Sequence, residues 1–451
     1  MSAIDPQFSA DFTDRYGEFL NPYPEVNSFR EFLKLVPPKD RAGKQFRYPI
    51  QAAFSHGQTA DITGTSFALR AARSGAEREA ILDGCDLYVR EDLPYSAVLK
   101  GRNGVSLQGD AAAYWEPYDK VMWSTMRGIE YYNELMLMYG PGAGTTILSD
   151  IGEVATTAVI SGGPNYNSVT HPVVNIKRGK WAAGLWNAAV NGGNTSGGML
   201  VDVINNAGTS VLVTDVMIEF VGDPALCQVQ MTATGSSVNP ATAVTAGHRF
   251  LPAGWYNKGA AGVLGILQNT GTFANIDAGS NNFWRARQFN AGVLKMTRQR
   301  ILSLTAKLQA NGGKTGLKAW GHASTFADLA EEASLLTRWN NSMGDNAVKI
   351  QGADSLEYLS PVGTVAVVRH EYMMQGFMFF LEPESCVRVG ASDITFKGAD
   401  GGNIVLDRPD NAGAEVRALS QQAALLKNPF HNALAFNIKN TDDDVSAGDA
   451  T

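Results

Sequence analysis

WEPYDKVMWSTMRGIEYYNELMLMYG, residues 115–140, decides how the rest of this 451-residue chain is read. From just before it, Tyr114, Tyr118, Val121, Met122, Thr125, Ile129, Tyr132, Met136 and Tyr139 recur at steps of three and four, which places them on one stripe of an α-helix. Asp110 stands where a cap is expected, and Gly140-Pro141-Gly142 stops the pattern. A helix from about residue 111 to 139 is roughly 43 Å long at 1.5 Å per residue. That is a spine, longer than most globular domains need.

N-terminal to the spine, residues 1–44 carry mixed charge, aromatics and the helix-hostile VPPKD, so they read as an extended arm with one short helix near VNSFREFLKLV. Residues 45–109 read as a long β-hairpin. Its strands are QFRYPIQAAFSHGQTADITG and CDLYVREDLPYSAVL, and the charged RAARSGAEREAILDG between them is expected to form a mobile or helical tip. Isolated hairpins are marginal in water, so one projecting from a domain is expected to lie on another surface.

C-terminal to the spine, residues 145–280 shift to Gly, Ser, Thr, Asn and Val with short alternating runs such as SVLVTDVMIEF, which predicts β-structure and loops. In GVLGILQNTGTFANIDAGSNNFWRARQF, residues 262–289, the glycines are expected at turns between short packed strands, with Trp284 anchoring the junction to the next helix. That helix is AGVLKMTRQRILSLTAKLQANGG, striped by Leu294, Ile301, Leu304 and Leu308. STFADLAEEASLLTRW is another, opened by Thr325 with Asp328 in the capping-box relation. The stretch from GTVAVVRHEYMMQGFMFFLEP to NALAFNIKN is strand-rich, and TDDDVSAGDAT, residues 441–451, is an acidic tail expected to fray.

Composition narrows the function classes. Charged residues make up only 18% of the chain, below the roughly 25% usual for soluble domains, so much of the surface is uncharged or covered by partners. A net charge of −7 argues against a protein that coats nucleic acid over most of its face. Cys85, Cys227 and Cys386 lie far apart, without metal or disulfide spacing, and fit a reducing compartment. The N-terminus lacks a signal-peptide pattern and no apolar run is long enough to span a bilayer.

Motifs of bond chemistry are not found. ANGGKTGLKAW resembles half a phosphate loop, but Leu308, inside a predicted helix, stands where the first glycine belongs. YGPGAGTT lacks the third glycine of a dinucleotide fingerprint and follows a helix where that mechanism needs a strand. His56, His171, His248, His322, His370 and His431 are dispersed and read as structural or surface residues, and His370 and Glu371 are expected on opposite faces of a strand. No catalytic, metal or cofactor residue is assigned. A β-rich enzyme or glycan-binding module finds no pair of acids in a defined relation to support it.

One electrostatic feature stands out. No acidic residue lies between Asp277 and Asp328, while Arg285, Arg287, Lys295, Arg298, Arg300, Lys307, Lys314 and Lys318 supply eight positive charges. This segment is either a contact for DNA phosphates or an acidic partner face, or an ordinary helix face with salt bridges. On the first reading, neutralising Arg298 and Arg300 weakens assembly or DNA retention.

Taken in order, these segments resemble a tailed-bacteriophage major capsid protein of the HK97-like fold, an α+β architecture. The most telling stretches are the hairpin running into WEPYDKVMWSTMRGIEYYNELMLMYG, and GVLGILQNTGTFANIDAGSNNFWRARQF followed by LKMTRQRILSLTAKLQANGG and GHASTFADLAEE. The resemblance implies an N-terminal arm over 1–44, an E-loop hairpin over 45–109 and the spine helix of a P-domain over 110–145. It implies mixed P- and A-domain β-structure with A-domain helices over 146–345, then the A-domain remainder and closing P-domain strands over 346–440. It further implies self-assembly into the hexamers and pentamers of an icosahedral virion enclosing double-stranded DNA, built in the host cytoplasm with portal and decoration proteins as partners and no membrane. An encapsulin-like compartment shell and a phage tail tube or sheath protein are the alternatives.

Two departures follow from the residues. Gln45 to Leu99 contains no lysine, so covalent E-loop crosslinking is not expected. Only some 44 residues precede the hairpin, so a separate scaffold, or none, is expected instead of a fused one.

Overall fold

The computed structural model describes residues 28–36, 45–55, 58–59, 71–94, 117–142, 149–160, 173–181, 199–221, 228–233, 244–313, 316–338, 355–397, 405–408 and 413–441. Asp110, Tyr114, Lys314 and most of the arm, hairpin tip and acidic tail lie outside them. The spine helix is Pro117–Tyr139, 23 residues and about 34 Å long. Proline fits its first position because the backbone N–H it lacks would have no helical acceptor there.

The two halves of this helix bury different amounts. Val121, Thr125 and Ile129 form a single buried stripe, and the Thr125 hydroxyl donates to the Val121 carbonyl at 2.7 Å. From Asn133 to Tyr139 every residue is buried, so the last two turns run through the interior. Tyr139 ends the helix by donating its hydroxyl to the Tyr372 carbonyl at 2.7 Å and accepting from the Met374 N–H at 3.0 Å. Gly140 follows because nothing larger fits: a Cβ there would lie 2.0 Å from the Ala260 carbonyl oxygen, and one on Gly262 would lie 2.4 Å from the Gly140 nitrogen. The crossing backbones are joined by the Gly262 N–H donating to the Gly140 carbonyl at 2.9 Å.

Three β-assemblies surround the spine in an α+β arrangement. A five-stranded sheet orders Lys34–Leu35, Cys386–Phe396, Gly413–Leu426 and Val405–Asp407, with Cys85–Pro94 also on Gly413–Leu426, and the spine packs along it. Gly152–Ile160, Val173–Trp181, Met199–Ile204, Val211–Val221, Gln228–Ala233 and Arg249–Pro252 close into a six-stranded barrel. A six-stranded sheet runs Arg287–Leu294, Ala433–Ile438, Met378–Leu381, Leu317–Gly321, Gly363–Arg369, Ser355–Ser360. The helices Arg298–Ala310 and Ala323–Arg338 share a core with this second sheet, in which Ile301, Leu304, Leu308 and Leu329 meet Leu317, Val365 and Phe380.

Several local expectations are corrected. Phe46–Ala53 pairs antiparallel with Ala76–Leu82, so AEREAIL, expected within the tip, is the return strand. Cys85–Pro94 leaves the hairpin and pairs over its full length with Gly413–Gln422. Leu294 does not belong to the helical stripe: it ends a strand, 55% exposed, because Gly292 and Val293 take positive φ and Thr297 caps a helix that begins at Arg298. Thr325 lies inside the second helix, which begins at Ala323, and its hydroxyl donates to Asn440 Oδ1 at 2.9 Å. Asp328 instead receives the Thr441 N–H at 3.0 Å.

Gly140→Ala is expected to lower stability by about 2 kcal/mol or more, because backbone on both sides must shift to admit one methyl. The denaturant midpoint measures it, and a loss below about 0.5 kcal/mol would show that the crossing is not close-packed.

Candidate functional site

A buried polar cluster joins the arm to the spine. The short helix Ser28–Phe32 presents its first N–H groups to Glu134, with Phe29 N donating to Oε1 and Arg30 N to Oε2, both at 2.9 Å. The carboxylate therefore caps a helix distant in sequence, where the helix dipole favours negative charge. His370 Nε2 also meets Glu134 Oε1 at 2.9 Å, and both side chains are fully buried. The Tyr372 N–H donates to His370 Nδ1 at 3.1 Å, which makes Nε2 the protonated nitrogen and the donor to Glu134.

Apolar packing and a second polar network extend the clamp. Phe29 is fully buried, its ring 5.4 Å from Trp320 and 6.1 Å from His370. Lys34–Leu35 runs parallel to Val387–Arg388, Arg388 Nε donates to the Leu33 carbonyl, and Val36 N donates to the Arg388 carbonyl at 2.9 Å. Arg388 and Arg30 both reach Asp393 Oδ1, at 3.2 and 3.4 Å. Burial pulls the Arg388 guanidinium below its ordinary range, and Asp393 opposes that shift. Residues 28–36 thus touch the spine, the five-stranded sheet and Trp320 of the six-stranded sheet. The charge of Glu134 within the apolar run ELMLMY was the sequence signal for this cluster.

The basic segment is not gathered into one patch. Arg285 Nε and Nη2 donate to the carbonyls of Ala278 and Gly279 at 2.5 and 2.7 Å, holding the loop before the Asn282–Trp284 turn. Trp284 is buried there, its indole N–H donating to the Phe273 carbonyl at 3.1 Å. Lys295 pairs with Asp328 at 3.7 Å at the other end of the strand Arg287–Leu294, about 25 Å away along an eight-residue strand. Arg300 Nη1 donates to the Ala291 and Lys295 carbonyls at 3.2 and 2.8 Å. Lys307 sits 5.9 Å from the Phe289 ring centroid. Lys318 lies 4.3 Å from Trp320 and 5.4 Å from the arm's Phe32, and burial lowers its ammonium from the ordinary lysine range.

Arg287 and Arg298 remain. Both are exposed, and among the described residues no side-chain hydrogen bond or ion pair engages either guanidinium. A cation at the start of a helix opposes the dipole, and the Glu332 carboxylate offsets this for Arg298 by accepting its backbone N–H at 2.9 Å.

No protein-family model matches the chain, and no curated protein does. Among solved structures it is similar to the capsid asymmetric unit of cyanophage A-1(L), at 13% identity over 95% of this chain and 97% of that one, with a TM-score of 0.47. It is similar to a chain from Mycobacterium phage Che8 at 10% identity, covering 94% and 96%, with a TM-score of 0.41. It is also similar to the SrpI encapsulin of Synechococcus elongatus at 7% identity, covering 94% of each chain, with a TM-score of 0.37.

Two outcomes follow from the site geometry. Glu134→Gln leaves one of three buried donors without an acceptor and is expected to cost about 1–3 kcal/mol. Limited proteolysis reads the release of residues 28–36, and unchanged protection there would refute the clamp. Arg300→Gln is expected to destabilise the strand–helix junction by about 1 kcal/mol or more, whereas Arg298→Gln leaves the melting temperature unchanged. Equal melting shifts would show that Arg300 is no more structural than Arg298.

Proposed function

We propose that this chain is a major capsid protein, many copies of which form the hexamers and pentamers of an icosahedral phage head around double-stranded DNA. The observation that carries the reading is the hairpin Phe46–Ala53/Ala76–Leu82. It forms a two-stranded sheet of its own, packed on the body through Ala80 and the partly buried Phe46, Tyr48, Ile50 and Leu82, with the Ile81 N–H donating to the Ala274 carbonyl at 3.0 Å, while Arg47, Gln51 and residues 76–79 stay exposed. A two-stranded sheet with one face left open gains from a further surface to lie on. Phe54, 73% exposed at its edge, and Leu359, 81% exposed at the far edge of the six-stranded sheet, also call for covering neighbours.

On this reading, the hairpin Phe46–Ala53/Ala76–Leu82 belongs to the E-loop, and Cys85–Pro94 to the P-domain sheet. The spine with the five-stranded sheet is the P-domain, the six-stranded sheet with its two helices is the A-domain, and the barrel is inserted between spine and A-domain. The chain's role is mechanical: overlapping arms and hairpins load the interfaces, and no residue performs bond chemistry. Scaffold, portal and decoration proteins are its further partners during assembly in the host cytoplasm.

A shell of the same fold that stores a protein instead of a genome is the second reading. It is favoured by the basic segment, most of whose described cations are spent on contacts within the chain.

Negative-stain microscopy of the purified full-length protein is expected to show rings or closed shells. A protein that stays monomeric at every concentration and salt tried overturns both readings. Nuclease-protected double-stranded DNA in the particles supports the phage head, and particles carrying only protein cargo support the compartment.

A further inference from the structure

A cavity of about 530 Å³ lies between the barrel and the six-stranded sheet. Val293, Phe377 and Phe436 give it apolar walls, and Lys177 and Lys180 reach it from the barrel strand Val173–Trp181. Both ammonium groups turn to one carboxylate, Glu153, at 3.5 and 3.8 Å, and the Lys177 side chain remains 55% exposed. Lys180 Nζ also lies 4.8 Å from the Phe377 ring centroid, so cation and apolar wall adjoin. At the rim Val293 has φ 57°, a left-handed conformation that β-branched residues rarely adopt, and is 64% exposed. Asn290 Oδ1 fixes this bulge by accepting from Gly292 N at 2.8 Å and Asn437 Nδ2 at 3.1 Å, so an apolar side chain is held out at the edge of the cavity.

The hairpin Phe46–Ala53/Ala76–Leu82 carries the complementary chemistry. Arg47, Pro49 and Gln51 alternate on its open face, while Tyr48 and Ile50 turn to the body. A break in register between Gln51 and Ala53 moves the alternation by one residue, which brings Phe54 out on the open face, 73% exposed. Glu77 stands opposite Gln51 on that face, and Glu79, opposite Pro49, pairs with Arg47 at 3.5 Å. Among the described residues no cation pairs with Glu77, and Arg78 lies opposite Ile50, on the other face.

We propose that the cavity receives the open hairpin face of a second copy, with the Phe54 ring between Val293, Phe377 and Phe436 and the Glu77 carboxylate at Lys177 and Lys180. Within one copy the two lysines share the carboxylate of Glu153, and a carboxylate from outside gives each its own. Burial of Phe54 against apolar walls supplies the attraction, and the charges fix which way the hairpin lies. The inference rests on the reading of the chain as a self-assembling subunit and names where on a neighbour its hairpin sits.

Charge reversal and its rescue test this in the full-length protein, with assembly read by sedimentation over a range of concentrations. Glu77→Lys is expected to raise the concentration needed for assembly about tenfold, and Lys177→Glu added to it is expected to restore most of that loss. Phe54→Ser is expected to raise it at least as much, with the melting temperature of the free subunit unchanged because Phe54 is exposed. In particles mixed from isotope-labelled and unlabelled Phe54→Cys/Val293→Cys protein, mild oxidation is expected to join the two introduced cysteines between copies. A disulfide formed only within one copy, or none in assembled particles, overturns the proposal, as does a Lys177→Glu change that fails to rescue Glu77→Lys. Particles that form from Phe54→Ser as readily as from the unaltered protein overturn it while leaving the shell reading intact. An unaltered protein that never assembles overturns both.

Discussion

The carboxylate of Glu134 is the group on which the arrangement of layers depends. A fully buried anion is costly unless hydrogen bonds and nearby positive dipoles replace the water it has lost. Here it accepts from Phe29 N, Arg30 N and His370 Nε2, which belong to the arm and to the loop following Gly363–Arg369. Only the folded chain brings these donors together, so the spine helix, the arm and the six-stranded sheet take their places as one unit. Phe29, wedged between Trp320 and His370, adds apolar burial at the same point.

The glycine crossing at the end of the spine has a related effect on connectivity. Gly140 and Gly262 bracket the whole barrel, which occupies the chain between Gly152 and Pro252. Entry and exit of that long excursion are stitched together by Gly262 N–H to Gly140 O, and Val263–Leu267 is entirely buried just beyond it. The barrel behaves topologically as an insertion, because the remaining chain is continuous across its base. The glycine-rich stretch at 262–289 therefore serves close backbone packing, with Trp284 and Arg285 tying its loops internally.

The spine was legible in the sequence because a 3.6-residue period sustained over about six turns is incompatible with the two-residue period of a strand and too long for a chance pattern in a loop. The hairpin return strand was not. Ala76–Leu82 is AEREAIL, whose alanine, glutamates and arginine favour a helix in isolation, and pairing with Phe46–Ala53 overrides that preference. Leu294 kept helical spacing with Ile301 and Leu304, yet the left-handed Gly292–Val293 pair bulges the strand that Leu294 ends, and the helix waits for Thr297. The basic segment misleads for another reason. A run of like charge in sequence becomes a patch only if the side chains share a face, and the described residues of this run lie on loops, an edge strand, a helix and an inner strand.

That dispersal means that the described part of the basic segment presents no single cationic face. Arginines bonded to backbone carbonyls, as Arg285 and Arg300 are, act as local braces and keep their full charge. At the exposed Phe54 and Leu359, by contrast, any covering contact gains from apolar burial, which is nearly independent of ionic strength. Within the basic segment, Arg287 and Arg298 are exposed cations that no described side chain engages, and charges of that kind tune orientation and approach more than cohesion. Apolar contact and response to charge are thereby carried by different parts of the surface.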